Sequence, residues 1–313
     1  MLNLMFSEWK AQTTKNIQMD SLEKLNQHLK PQPVTDYDMN KNRLVKNTAT
    51  WLLKEPDFVN WVDCEKPVLW ISGGPGCGKS HLSTIAIKHL LEKISRDGNY
   101  RSSVGYYFFH DDDQQNRSFL NAIIAMVYQV VKGDEVYCMH ATNTCKYSAR
   151  ISDATIHSVW IDFIATEYYP TSSGQLYLIF DGIDKAKRED VEEFISLLSN
   201  SIQNRLRDQV LLVGRPEMDG IVIFANESSV PTIRVSSEKN SQDIAQYINY
   251  KYYHTSQIPK LKAVKQKVLN ALLENADGML LWVDLMFAEL SYRSQPKQIL
   301  GALETLPKGL LGL

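Results

Sequence analysis

Cysteine is scarce in this chain: Cys64, Cys77, Cys138 and Cys145 are all there are among 313 residues. That argues against a disulfide-built scaffold and for free thiols in a reducing compartment. Cys138, His140 and Cys145 lie close together, yet their spacing is none of the usual zinc pairings, so they read as incidental loop residues. An excess of one charge is missing too. With 34 basic and 36 acidic residues the net charge is −2, so no overall field draws nucleic acid or an anionic membrane, and neither is expected as a partner. Long apolar runs are also lacking. The most apolar late segment, residues 278–290, is broken by Asp284 and Glu289, too short and too charged to span a bilayer. Residues 1–10 have no basic flank before an apolar stretch, so no secretory signal is read there. A cytoplasmic protein is the default that follows.

What is present is ordinary globular material, 44% hydrophobic and 22% charged, long enough to bury a core without disulfides or a structural metal. Ile17, Leu22, Leu25 and Leu29 recur at helical spacing until Pro31 and Pro33 stop the pattern. Two short aromatic-rich helical pieces, split at Pro56, occupy residues 48–61. Short apolar or β-branched runs at residues 68–71, 104–109, 176–180, 210–213 and 232–235 read as strands. Helical patterns fill 79–96, 119–131, 156–168 and 191–206 between them. Residues 133–155 are polar and irregular, and read as a loop or insertion. Alternating strands and helices indicate an α/β fold with a parallel sheet. After residue 235 only helical patterns remain, so a small helical lid subdomain is expected to follow. The expected division is an N-terminal helical segment and linker at 1–60, a P-loop NTPase core at 61–236 and the lid at 237–313.

Residues Gly73, Gly74, Pro75, Gly76, Cys77, Gly78, Lys79 and Ser80 fit the pattern G-x-x-x-x-G-K-S, with a strand before and a helix after. Backbone N–H groups of such a loop form an anion nest, and the helix adds its positive N-terminal end. Lys79 is the expected partner of the β- and γ-phosphates, and Ser80 the expected ligand of Mg²⁺. ATP and GTP use the same loop, so the base stays open. Cys77 reads as a small filler without a redox role. The strand at 176–180 runs into Asp181, Gly182, Ile183 and Asp184. A carboxylate at the C-terminal end of a parallel strand lies where α/β sheets bind ligands. Asp181 is therefore the expected Mg²⁺ partner, and Asp184 a candidate to orient or deprotonate attacking water. Arg215 follows the strand at 210–213 and is a candidate sensor of the γ-phosphate; Pro216 after it holds it extended. The run Asp111, Asp112 and Asp113 reads as a solvated turn.

These elements together resemble the NACHT family of signal-transduction NTPases, of the STAND class. The resemblance is closest to fungal members related to the heterokaryon-incompatibility proteins, whose nucleotide-binding segment is also catalogued as nephrocystin-3-like. It extends to Tyr107, Phe108, Phe109 and His110, and to the later segments 240–248, 276–283 and 303–310. The resemblance implies a switch in self/non-self recognition or innate immunity. A diphosphate-bound closed state would open on exchange for the triphosphate and then self-associate or meet protein partners. It also implies that residues 48–51 lie near the base. Two departures stand out. Lys185 occupies the place of a glutamate usual after the second aspartate, and the chain stops at Leu313, where a winged helix usually follows. Slow or absent hydrolysis is therefore expected, in a fragment or a stripped-down member. The leading reading is a nucleotide-dependent switch; the alternative is an active ATPase or GTPase that turns over to drive work on a partner.

Overall fold

The computed structural model of the chain describes residues 35–97, 102–147, 154–165, 175–203, 208–224, 230–254, 264–293 and 295–304. The helix expected within residues 1–30, and the end of the last lid segment at 305–310, lie outside the described residues.

Five short runs form strands: β1 Val68–Gly73, β2 Ser103–Phe108, β3 Leu176–Asp181, β4 Gln209–Gly214 and β5 Thr232–Val235. They pair in parallel, in the order β2-β3-β4-β1-β5. Every residue of β1, β3 and β4 is buried, as parallel strands must be when helices cover both faces. Side chains alternate along a strand, so each strand feeds two cores. Leu69, Ile71, Ile179 and Val213 point to one face. There they meet α1 (Asp36–Arg43), α2 (Pro56–Val62) and the long helix α3 (Lys79–Asp97). Trp70, Leu178, Phe180 and Leu212 point to the other. That face is covered by α4 (Phe119–Gly133), α5 (Glu135–Tyr147), α6 (Ile156–Phe163) and α7 (Arg188–Gln203). The fold is α/β, a parallel sheet between helical layers.

The register decides where function can sit. Phe108 is level with Asp181, Asp181 with Val213, Val213 with Ile71, and Gly73 with Val235. The residues that follow β1, β3 and β4 therefore leave the sheet at one edge.

A short helix α8 (Asp219–Phe224) precedes β5. After β5 come α9 (Ser241–His254), α10 (Lys265–Asn275), α11 (Leu280–Ser291) and α12 (Pro296–Glu304). They close around their own core, with Ile248, Val268, Leu272, Trp282 and Phe287 at its centre. Among the described residues no helix is long and apolar enough to cross a membrane.

One finding differs from expectation. Residues 135–147, expected to be irregular, form α5. Tyr137, Cys138 and Ala141 are buried and make a narrow apolar stripe that polar neighbours mask in the sequence. Asp134 caps this helix, accepting from the Tyr137 N–H at 2.9 Å, and the Tyr137 hydroxyl donates to the Phe163 carbonyl at 2.7 Å. Ahead of β1, Tyr37, Leu52, Phe58 and Trp61 share a core with Leu69 and Ile71.

Candidate nucleotide site

β1 ends at Gly73 and α3 begins at Lys79, so the loop between them turns a strand into a helix within a few residues. Gly76 and Gly78 make the turn at φ 69° and 93°, backbone that side-chain-bearing residues rarely adopt. The Gly78 carbonyl accepts from the N–H groups of His81 and Leu82 at 3.0 and 3.1 Å, which starts the helix. Lys79 folds back along the loop, and its ammonium donates to the carbonyls of Gly73 and Gly74 at 2.7 and 2.8 Å. Cys77 is buried beneath Gly73, and burial pushes its thiol up, so it is a neutral packing group there.

Asp181 ends β3 in full burial, 3% exposed. Both its oxygens are used: Ser80 Oγ donates to Oδ2 and Ser83 Oγ to Oδ1, each at 2.6 Å. Burial pushes the Asp181 carboxyl up, against these two hydrogen bonds and the positive charges of Lys185 and Lys79. A serine hydroxyl and a carboxylate in contact at the start of a helix are hard oxygen donors of the kind Mg²⁺ takes. Ser80 and Asp181 would hold that ion, and it would supply charge neutralisation for the phosphates. Ser83 was missed in the sequence reading; its place one turn after Ser80 is the signal that could have found it.

Asp184 and Arg215 meet each other. Arg215 Nε lies 3.1 Å from Asp184 Oδ2, with the arginine side chain 44% exposed and the aspartate 10%. The remaining Asp184 oxygen is buried without a hydrogen-bond partner among the described residues. Arg215 is extended at φ −89° and ψ 158°, as a residue before proline should be. The pair packs against Gly214, where an added Cβ would come within 2.8 Å of Trp70 and 3.2 Å of the free Asp184 oxygen.

A family model described as Nephrocystin 3, N-terminal, matches residues 47–215, over half of the chain. The chain belongs to that family. The match runs from just ahead of the segment before β1 to Arg215. No curated protein matches the chain. Similar solved structures include the Walker-type ATPase PABY2304 of Pyrococcus abyssi, at 10% identity and TM-score 0.45 over 82% of this chain and 69% of that one. Another is Cdc6p from Pyrobaculum aerophilum, at 13% identity and TM-score 0.41 over 80% and 62%. A third is the Aeropyrum pernix ORC1 protein in complex with DNA, at 10% identity and TM-score 0.42 over 82% and 68%. The DNA belongs to that complex, and at these scores the likenesses carry nothing about activity. The five-stranded parallel sheet with flanking helices carries its G-x-x-x-x-G-K-S loop between β1 and α3, the strand-loop-helix setting of a P-loop.

In this nephrocystin-3-type domain the helical subdomain sits on the glycine loop, through contacts that no spacing in the sequence announces. The Leu281 N–H donates to the Gly76 carbonyl at 3.3 Å. Leu281 Cβ lies 2.7 Å, and Leu280 Cδ1 2.9 Å, from where side chains on Gly76 and Gly78 would begin. Asn240 is buried at the junction, and its Nδ2 donates to the carbonyls of Cys77 at 3.2 Å and Gly278 at 2.6 Å. Beside it a narrow cleft is lined by Thr48, Trp51, Cys77, His81, Asp243 and Leu280. Across that cleft Trp51 Nε1 donates to Asp243 Oδ2 at 3.0 Å. Burial pushes the Asp243 carboxyl up and the His81 imidazole down, so His81 is a neutral ring in the cleft wall.

Proposed function

We propose that the chain is a nucleoside-triphosphate-binding switch, taking ATP or GTP with Mg²⁺ and coupling nucleotide state to conformation or self-association, with weak hydrolysis at most. The observation that carries this reading is the lid resting on the phosphate loop, with the Leu281 N–H on the Gly76 carbonyl. Whatever fills the loop acts on the lid through shared backbone.

In this reading residues 73–80 cradle the phosphates with main-chain N–H groups and the helix end, and Lys79 supplies a point charge from its rest on Gly73 and Gly74. Ser80 and Asp181 hold Mg²⁺. The base lies near residues 48–51, beside the cleft that Thr48, Trp51 and His81 line. Arg215 answers to the terminal phosphate, and Asp184 orients water. Because those two residues are tied to each other, water activation requires the pair to part, which supports binding over turnover. The core spans residues 61–236 and the lid runs from residue 237 on. The segments 240–248 and 276–283, which contain Asn240 and Gly278, support the finer assignment to a NACHT-type signalling switch in the cytoplasm.

Thermal unfolding with ATP, ADP, GTP and GDP tests the reading. A site saturated at a hundredfold excess over Kd stabilises by about 2.7 kcal/mol. The wild-type chain should show such a rise in Tm with at least one nucleotide, and Lys79→Ala should lose it. No shift with any nucleotide would sink the proposal. Turnover above about 1 s⁻¹, the ordinary enzyme range, would favour the energy-transducing ATPase or GTPase instead.

A further inference from the structure

Lys185 closes the 3-10 turn Ile183–Lys185 that follows Asp181. Its backbone is fixed on both sides: the N–H donates to the Gly182 carbonyl at 2.9 Å, and the carbonyl accepts from Arg117 Nε at 3.1 Å. The side chain lies back over Gly182, with Cδ and Cε 3.6 and 3.8 Å from where a Gly182 Cβ would stand. It is half-buried, and its ammonium has no hydrogen-bond or ion-pair partner among the described residues. Of the neighbouring carboxylates, Asp181 is engaged by Ser80 and Ser83, and Asp184 gives one oxygen to Arg215 while its other oxygen stays buried. The Lys185 charge nevertheless reaches Asp181, whose upward shift it opposes, and His110, whose protonation it disfavours. Because its turn leaves β3 directly after Asp181, level with the end of β2, the lysine stands at that edge near the candidate Mg²⁺ carboxylate. An ammonium with no anion of its own beside a candidate phosphate site is placed to take one from a ligand.

We propose that Lys185 is a second phosphate ligand, reaching the terminal phosphoryl group of a nucleoside triphosphate from the β3 side as Lys79 does from the β1 side. The inference rests on the nucleotide reading above. A γ-phosphate brings charge that a diphosphate lacks, so Lys185 favours the triphosphate. It also adds to the neutralisation that Mg²⁺, Lys79 and Arg215 provide, so triphosphate binding survives chelation of the ion. Lys185 is a specificity residue here, in a place where a carboxylate would instead repel the same group.

The test is titration calorimetry of ATP and ADP against the full chain, with excess Mg²⁺ and with excess EDTA. Wild type, Lys185→Gln, Lys185→Ala, Lys185→Arg and Lys79→Ala are compared. A charge-assisted contact corresponds to about tenfold in affinity or more. Lys185→Gln and Lys185→Ala should weaken ATP by that factor, with a larger loss in EDTA, and leave ADP within about twofold. Lys185→Arg should keep most of the ATP affinity. A merely structural lysine would weaken ATP and ADP in parallel, or neither, and either result overturns the inference. Lys79→Ala keeps the two claims apart. If wild type binds and Lys79→Ala does not, but the ATP-to-ADP ratio ignores Lys185, the inference alone falls. If wild type binds neither nucleotide, the reading falls and takes the inference with it.

Discussion

Single residues already set the chemistry of this site. Asp181 is a carboxyl in full burial, satisfied by two serine hydroxyls. Its upward shift means the folded state holds the proton more tightly than the unfolded one. Stability from this group is thus present below the unfolded value near 3.8 and is lost as pH rises toward the folded value. Asp208, pushed up to about 7, and Asp243 act in the same direction, so the difference between wild type and Asp181→Asn isolates it. Asp181→Asn should flatten the acid-side fall of Tm with pH while abolishing Mg²⁺-dependent nucleotide binding; equal pH profiles for the two would refute the assignment of the slope. His110 runs with the opposite chemistry but a similar direction. Its Nε2 meets Asp36 Oδ1 at 2.7 Å, and this hydrogen bond holds the imidazole above its usual 6.5 despite burial and the nearby Lys185 charge. The tie between α1 and β2 is therefore fully present below pH 6.5 and weakens as pH climbs through the raised value. Hydrogen exchange in α1 measured across that range should speed up in wild type and show no such step in Asp36→Asn.

Among the elements, the junction between the glycine loop and α11 is where the structure commits most. Gly76→Ala would force a side chain into positive φ and set its Cβ 2.7 Å from Leu281 Cβ. The backbone strain alone costs about 1–3 kcal/mol. Urea unfolding should show that loss, and adding Leu281→Gly should recover only the part due to the clash, a coupling that a double-mutant cycle reads directly. If the double variant is no more stable than Gly76→Ala alone, the lid does not bear on the loop in solution. The elements also show what could be read in the sequence. β1, β3 and β4 are continuous apolar runs because both faces are covered, and such runs announce themselves. The loop and Asp181 were legible because their chemistry is local to a strand end. α5 was not, since its buried stripe is narrow. Nor was the contact of Asn240 with Cys77, made across 163 positions, or the capture of Arg215 by Asp184. Those depend on which surfaces pack, and no spacing rule encodes that.

For the whole molecule, the separation of cores predicts how it comes apart. The lid core around Trp282 and Val268 is distinct from the two cores on the sheet. Trp282→Ala, at a fully buried position, should cost about 3–5 kcal/mol and fall mainly on the lid. Calorimetric unfolding should then split into an early lid transition and a later sheet transition. A single transition lowered as a whole would mean the lid and sheet unfold as one unit.

The strand order has a further consequence. β4 stands between β1 and β3, so the glycine loop and Asp181 are two strand spacings apart, roughly 9–10 Å. The sheet cannot bring them together; the first turn of α3 does, through Ser80 and Ser83. Two hydroxyls a turn apart on one carboxylate fix the helix in rotation as well as in position. One residue inserted between Gly73 and Lys79 would turn the helix by about 100° and swing both serines off the carboxylate. The length of that loop is therefore a phase setting, and the chain has as little freedom to change it as a key has to gain a tooth.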